Sequence, residues 1–232
     1  MSIQENYNAI KNRVDAAAIR SGRNPEEVTL MAVTKTHPAD QLNEVIKAGA
    51  TDIGENKVQE VLEKYPDVMP VRWHLIGHLQ TNKVKSIIDK VVMIHSVDSF
   101  HLAKEIDKRA ANAGLKMDIL IEINSAMEET KSGIAIGDVK ELVNQIVNEL
   151  PSLRVCGLMC IPPMANEPED NRPYFRQAKE LFEEMKTWNL AEDNFRPTVL
   201  SMGMSGDFEV AIEEGATIVR VGSSIFGPRN YR

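Results

Sequence analysis

The chain has 232 residues, 43% of them hydrophobic and 26% charged, and a formal net charge of −7. With no stretch typical of a linker, this length favours one domain over residues 1–232, comprising an N-terminal helix at 1–22 and the main fold at 28–232. An acidic chain lacks the basic surface that nucleic acid or an anionic membrane requires, so we expect neither as a partner.

The N-terminus has no apolar signal region, and no apolar run in the sequence approaches the length of a membrane span. We therefore expect a cytoplasmic protein. The two cysteines are Cys156 and Cys160, whose spacing fits neither a C-x-x-C redox pair nor a zinc knuckle. We expect both as small buried core residues.

The apolar periodicity predicts a helix over residues 3–21, stopped at Ser21-Gly22, and then an alternation of strands and helices. The predicted strands are 29–34, 52–55, 71–77, 91–95, 118–124, 154–160, 198–202 and 217–222. Helical patterns follow them at 39–48, from 58, from 84, at 99–113, 139–147, 174–187 and 206–214. Most strands are almost continuously apolar, as parallel strands buried on both faces are. The sequence therefore predicts an α/β fold, a single (β/α)8 TIM-type barrel with an extra N-terminal helix, rather than an open doubly wound sheet.

Lys35 follows the first apolar strand directly. On a period-two pattern it shares a face with Met31 and Val33, so its amine points inward if that face is the core. A buried ammonium without a partner tends to lose its proton and become a nucleophile toward carbonyls, which is Schiff-base chemistry. From this segment alone, a lysine that reaches the rim or pairs with a carboxylate is an equal alternative.

Two glycine-serine turns follow the seventh and eighth predicted strands, where barrels of this type commonly hold phosphate. The first runs from Ser201 to Asp207 and the second is Gly222-Ser223-Ser224. Glycines allow close backbone approach, and hydroxyl groups and amides can donate to an anion. The pair of turns indicates an anion site at this end of the barrel.

Arg220 interrupts the eighth strand and shares its face with Ile218 and Gly222, so its guanidinium projects inward and needs an acceptor. That acceptor is either a barrel carboxylate such as Glu122 or an atom of a ligand. Lys35 and Arg220 become neighbours when the barrel closes. Two adjacent cations suit an anionic aldehyde, and the arginine would help to depress the pKa of the lysine.

Seven motifs in register resemble one family. They are AVTKTHP, IGENKVQE, HLIGHLQTNK, NSAMEETKSG, GLMCIPP, LSMGMSGDFEVAI and VRVGSSIFG, and they run from about residue 28 to the C-terminus. In this order they closely resemble the YggS/PROSC family of pyridoxal-phosphate-binding proteins, called pyridoxal phosphate homeostasis proteins. The fold of that family is similar to the barrel domain of alanine racemase, which agrees with the strand pattern.

The resemblance implies that pyridoxal 5'-phosphate (PLP) is the cofactor and that Lys35 forms the internal aldimine with it. It also implies that Arg220 faces the pyridine nitrogen and that Asn56 lies at the edge of the cofactor. His37 stands where the family more often has a lysine. The phosphate cradle of the family corresponds to Ser201, Met204, Ser205, Gly222 and Ser223.

An arginine opposite the ring nitrogen leaves that nitrogen an unprotonated acceptor, so the ring is a poor electron sink. Racemisation also needs a second acid or base, which alanine racemase takes from an additional domain. With the chain ending at Arg232 we expect no such domain here, although the loop at 161–173 could bring Tyr174 near. We therefore expect a PLP carrier without catalytic residues that passes PLP to PLP-requiring apoenzymes, and a monomer rather than a dimer.

Two alternatives remain open at this point. One is a PLP-dependent, racemase-like enzyme, and the other is a barrel enzyme that uses Lys35 on a phosphorylated carbonyl substrate. No metal site is expected, because His74 and His78 span a strand end and their motif has no glutamate. His74, His95 and Asn124 are candidates for packing or for supporting hydrogen bonds. The charged stretch at 128–133 is either a rim loop over the site or a solvated segment.

Overall fold

In the computed structural model, residues 2–125 and 132–227 are described. Within them, eight parallel strands pair in sequence order, and β8 pairs with β1 to close the barrel, which confirms the predicted fold. Most of the charged stretch at 128–133, together with residues 228–232, lies outside the described residues. The strands are β1 Thr29–Val33, β2 Asp52–Glu55, β3 Arg72–Leu75, β4 Met93–Val97, β5 Met117–Ile123, β6 Leu153–Cys160, β7 Phe195–Ser201 and β8 Ile218–Val221.

Helices surround the barrel, with one before β1 and one after each strand. They are α1 Ile3–Arg20, α2 Ala39–Lys47, α3 Val58–Lys64, α4 Val84–Ile87, α5 Phe100–Asn112, α6 Val139–Glu149, α7 Arg172–Met185, α8 Phe208–Glu213 and α9 Ser223–Phe226. Short 3-10 turns occur at Pro25–Glu27, Thr81–Lys83, Ile136–Asp138 and Pro168–Asn171. None of the helices built from the described residues has both the length and the apolar character needed to cross a bilayer.

The largest boundary difference from the sequence prediction is at β7, which begins at Phe195 rather than at residue 198. Pro197 lies inside this strand, although proline cannot donate a hydrogen bond to a neighbouring strand and usually marks the end of one. The strand continues through it because the pairing with β6 shifts register between Val155 and Gly157. Such an irregularity accommodates a residue that lacks its amide hydrogen.

The apolar core lies in two places. The larger part is between the strands and the surrounding helices, and the smaller part fills the barrel itself. Met31 and Val33 belong to the interior part, which confirms the predicted inward face of β1. Gly54 on β2 leaves room for this packing, since a Cβ there would lie 2.6 Å from Met31 Sδ. Both cysteines are buried and unbridged, as expected.

Helix α1 packs against the two helices that flank β8, α8 and α9. It begins with a capping box in which Ser2 and Glu5 bond each other's backbone amides. The Asn6 amide donates from Nδ2 to the carbonyl oxygen of Ile225 at 2.9 Å. This contact fixes α9, the short helix that follows β8.

Candidate functional site

A cavity of about 230 Å³ opens at the carboxyl ends of the strands. It contains seven of the eight residues predicted as binding residues, namely Lys35, Asn56, Met204, Ser205, Arg220, Gly222 and Ser223. Val33, His37, Ile76 and Ile161 add to its wall. The eighth predicted residue, Ser201, is fully buried and does not line the cavity. Seven of the residues named in the sequence analysis thus line one cavity.

Lys35 lies in a turn rather than at the end of a strand. Strand β1 ends at Val33, and the His37 amide donates to the carbonyl oxygen of Thr34 at 3.1 Å to close the turn over Lys35 and Thr36. Lys35 is half-buried on the cavity wall, and Thr36 has a φ of 68°. The prediction placed Lys35 directly after the strand. In this turn Lys35 still lines the cavity.

Arg220 projects into the barrel as predicted and is only 4% exposed. Its Nη1 donates to Ser201 Oγ at 2.8 Å and its Nη2 to the carbonyl oxygen of Cys160 at 3.0 Å. Within the described part of the chain it forms no ion pair with Glu122, the alternative considered from the sequence. Burial lowers the pKa of Arg220. Two of its five N–H groups are thus used to fix a guanidinium that borders the cavity.

Ser201 connects Arg220 to a buried hydrogen-bonded series, which we call the interior polar chain: Asp52, His74, His95 and Ser201. Asp52 Oδ1 lies 2.8 Å from His74 Nε2, and His74 Nδ1 lies 2.9 Å from His95 Nε2. His95 Nδ1 lies 3.1 Å from Ser201 Oγ. Since β4 and β7 are not neighbours, this last bond crosses the barrel.

Burial strongly affects these groups. Burial, with Arg72 nearby, lowers the pKa of His74 although the neighbouring Asp52 acts to raise it. Burial, with His74 and Arg220 nearby, lowers the pKa of His95 well below the ordinary histidine value. Burial also raises the pKa of Asp52, but hydrogen bonds from His74 and Thr51 outweigh it and bring the net value below the ordinary one. Both imidazoles are therefore neutral beside an ionised Asp52.

The sequence analysis named His74 and His95 only as possible supporting groups and did not select Asp52. Their shared inward face follows from strand alternation, but a sequence does not show which inward groups meet across a closed barrel. His74 is fully buried whereas His78 is exposed, so they do not converge. Among the residues that the structure describes, no group of three or more histidine, cysteine, aspartate or glutamate side chains could hold a metal ion.

The two glycine-serine turns are bonded to each other. The Gly222 amide donates to Ser205 Oγ at 3.2 Å. In the first turn, the Met204 amide donates to Asp207 Oδ1 at 2.6 Å, and Asn171 Nδ2 donates to Asp207 Oδ2 at 2.7 Å. This places the backbone and hydroxyl groups of both turns on the same side of the cavity, as an anion site requires.

Two further residues shape the wall. Asn56 carries a buried side-chain oxygen, Oδ1, for which the described residues supply no hydrogen-bond partner. His37 stacks on the Phe226 ring at a centroid distance of 4.5 Å, and its Nδ1 lies 2.9 Å from Gln41 Oε1. Tyr174 is on α7, where it lines a separate surface depression with Glu169 and Arg172.

Comparisons with known proteins agree with this geometry. The family model described as alanine racemase, N-terminal domain, matches residues 2–230. The pyridoxal phosphate homeostasis protein of Aquifex aeolicus is 46% identical over 233 residues, covering 100% of both chains. The PipY protein of Synechococcus elongatus, solved with PLP bound, superimposes with a TM-score of 0.77 at 34% identity and covers 94% of this chain and 100% of its own.

Alanine racemase of Streptomyces lavendulae shares the fold, with a TM-score of 0.73 at 19% identity. This chain covers 58% of that enzyme, whereas it covers 100% of the homeostasis protein of Aquifex aeolicus and 97% of that of Escherichia coli. The curated relatives that match this chain over almost their whole length are named pyridoxal phosphate homeostasis proteins. This agrees with the closed barrel, the turn that carries Lys35 and the two glycine-serine turns. The chain belongs to the family of pyridoxal phosphate homeostasis proteins.

Proposed function

We propose that the protein binds PLP in the cavity and serves PLP homeostasis in the cytoplasm, holding the cofactor and passing it to enzymes that require it. One observation carries this proposal: a half-buried amine and a buried guanidinium border the same cavity as two joined, hydroxyl-bearing turns. The names of the relatives and the PLP-bound PipY structure support it.

The residues of the cavity fit this cofactor. Asn56 has a buried oxygen still in need of a donor, and Arg220 has N–H groups beyond the two that hold it. Gly222 lets the second turn pack closely against the end of β1, because a Cβ at that position would lie 3.1 Å from the carbonyl oxygen of Val33. When bound, PLP supplies an aldehyde and an aromatic ring that can accept electrons.

Each group then has a role that follows from its chemistry. Lys35 would hold the aldehyde carbon through its amine, with release of one water molecule. Ser205 and Ser223 would donate to the phosphate, and Arg220 would donate to the ring nitrogen. Ser201 does not line the cavity; its hydroxyl accepts a hydrogen bond from Arg220 and so orients the guanidinium.

The residues that line the cavity support a protein that stores PLP rather than one that catalyses a reaction with it. A guanidinium does not release its proton readily, so Arg220 keeps the ring nitrogen an acceptor and weakens electron withdrawal. Among the described residues, the ionisable side chains on the wall are Lys35, His37 and Arg220. His37 is already engaged by Gln41 and Phe226, and Tyr174 lies elsewhere.

The test is titration of the purified protein with PLP, followed by its visible spectrum. We expect the wild type and the Lys57→Ala control, an exposed lysine beside Asn56, to give the same new band, and Lys35→Ala to give none. Borohydride reduction and peptide mapping should place the label on Lys35. A label on another lysine, or no label, would overturn the proposal.

A second measurement separates storage from catalysis. The PLP-loaded protein is incubated with a panel of D- and L-amino acids, and their chirality and products are followed. We expect no sustained turnover. Robust racemisation would instead establish the racemase-like alternative.

A further inference from the structure

Beneath the turn that carries Lys35 lies a second lysine, Lys64, whose ammonium group is fully engaged. Lys64 Nζ donates to Glu55 Oε1 at 2.7 Å, to Glu60 Oε2 at 2.7 Å and to the carbonyl oxygen of Thr34 at 3.0 Å. An ammonium has three N–H donors, so all three are used. Lys64 is 9% exposed and Glu55 is fully buried. Lys64 therefore serves the structure of the turn.

The ion pair between Lys64 and Glu60 holds the backbone on both sides of Lys35. Lys64 binds the carbonyl oxygen of Thr34, and Glu60 Oε2 accepts the amide hydrogen of Thr36 at 2.6 Å. The Thr34 hydroxyl also donates to Glu55 Oε1 at 2.6 Å. The peptide groups that flank Lys35 are therefore tied to α3 and β2, and Lys35 itself lines the cavity.

Thr36 shows why such a restraint is needed. Its φ of 68° lies in the left-handed region, which is unfavourable for a β-branched residue and persists only when the surroundings enforce it. The bond from its amide to Glu60 is one enforcing contact. Although burial raises the pKa of Glu60, hydrogen bonds from Lys64 and the Thr36 amide outweigh it, so the net pKa is lowered and the carboxylate stays charged.

We infer that Glu60 and Lys64 are positioning residues that aim the Lys35 amine at the aldehyde of its ligand. This inference rests on the proposed function. A nitrogen that must approach a carbonyl carbon along a narrow direction reacts fast only when its backbone is held, and the Glu60–Lys64 pair holds both flanking peptides. Neither residue takes part in the bond that Lys35 forms or in the water that is released.

The test separates positioning from binding with two ligands. Pyridoxal phosphate can condense with an amine, whereas pyridoxine phosphate carries an alcohol in place of the aldehyde and cannot. For Glu60→Ala we expect the rate of condensation with Lys35 to fall on the order of tenfold to a hundredfold, the effect of a small displacement of a reacting group. The dissociation constant for pyridoxine phosphate should remain that of the wild type, because the phosphate turns and Arg220 are unchanged.

Two variants act as controls. Glu60→Gln keeps an oxygen that can accept the Thr36 amide hydrogen, so it should retain part of the lost rate. Glu63→Gln changes an exposed carboxylate on the same helix, bonded to Gln59, and should behave as the wild type. Circular dichroism of each variant verifies that it is folded before the rates are compared.

The inference is overturned if Glu60→Ala condenses at the wild-type rate, or if it loses affinity for both ligands equally, which would indicate a merely structural role. Either result differs from failure of the proposed function, in which the wild type itself would not condense with pyridoxal phosphate at Lys35.

Discussion

The imidazoles of His74 and His95 share a 2.9 Å hydrogen bond inside the barrel, which joins His74 Nδ1 and His95 Nε2. His74 is also hydrogen-bonded to Asp52, and His95 to Ser201, whose hydroxyl accepts a hydrogen bond from Arg220. An ionised carboxylate only accepts hydrogen bonds, so the donors must all point the same way, from Arg220 toward Asp52. The charge that borders the cavity is thereby linked to a carboxylate at the start of β2.

This order predicts the tautomer of each histidine. His74 must carry its proton on Nε2 to donate to Asp52, and His95 must carry its proton on Nε2 to donate to His74 Nδ1. Nitrogen-15 NMR of the ring nitrogens should show both as Nε2–H tautomers, unchanged across the neutral pH range. The exposed His101 provides the reference signal. An Nδ1–H signal from either buried ring would contradict the assignment.

The strand order, the place of Lys35 just after β1 and the two glycine-serine turns could be predicted because each depends on local pattern: apolar runs, glycine, and hydroxyls after strands. The turn over Lys35 and Thr36 could not, since contacts with α3 and β2 hold it. The interior polar chain could not, since Asp52, His74 and Ser201 are far apart in sequence and meet only after closure. The Glu60–Lys64 pair has the i, i+4 spacing of an ordinary surface pair on a helix. Nothing in that spacing shows that it turns inward beneath Lys35.

Glu122 gives a prediction about pH. It faces the barrel interior with Leu120, and burial, with some repulsion from Asp98, raises its pKa to about 7. A carboxyl group that is harder to ionise when folded contributes no penalty below the unfolded pKa near 4.5 and costs stability as pH rises toward 7. That cost amounts to at most about 3 kcal/mol above pH 7, at 1.36 kcal/mol for each unit.

Glu122→Gln removes the ionisation while keeping the shape. We expect the free energy of unfolding of the variant to gain on that of the wild type as pH rises from 5 to 8, by up to about 3 kcal/mol. Urea denaturation at each pH measures it. Glu149→Gln, an exposed site, serves as the control. A difference independent of pH would refute the raised pKa.

Thr36 gives a prediction about backbone strain. A left-handed conformation costs an L-residue about 1–2 kcal/mol, whereas glycine costs about 0.5–1 kcal/mol in chain entropy, so Thr36→Gly should raise stability by up to about 1.5 kcal/mol. Thr36→Ala keeps the Cβ and should gain less. Thermal unfolding of the three proteins measures the order. Destabilisation by glycine would mean that contacts of the threonine side chain outweigh the strain.

Ser201 gives the last prediction, because its hydroxyl serves two buried partners at once. Ser201→Ala leaves His95 Nδ1 without its donor and Arg220 Nη1 without its acceptor, and one unsatisfied buried polar group costs about 1–3 kcal/mol. We expect a loss of unfolding free energy in that range in urea. The Nδ1 resonance of His95 should shift as well, which a loss of packing alone would not cause. Ser152→Ala, a half-buried serine whose backbone amide binds Asp107, is the matched control and should lose far less. Equal losses at the two serines, with an unmoved His95 signal, would show that the interior polar chain does not extend to Arg220.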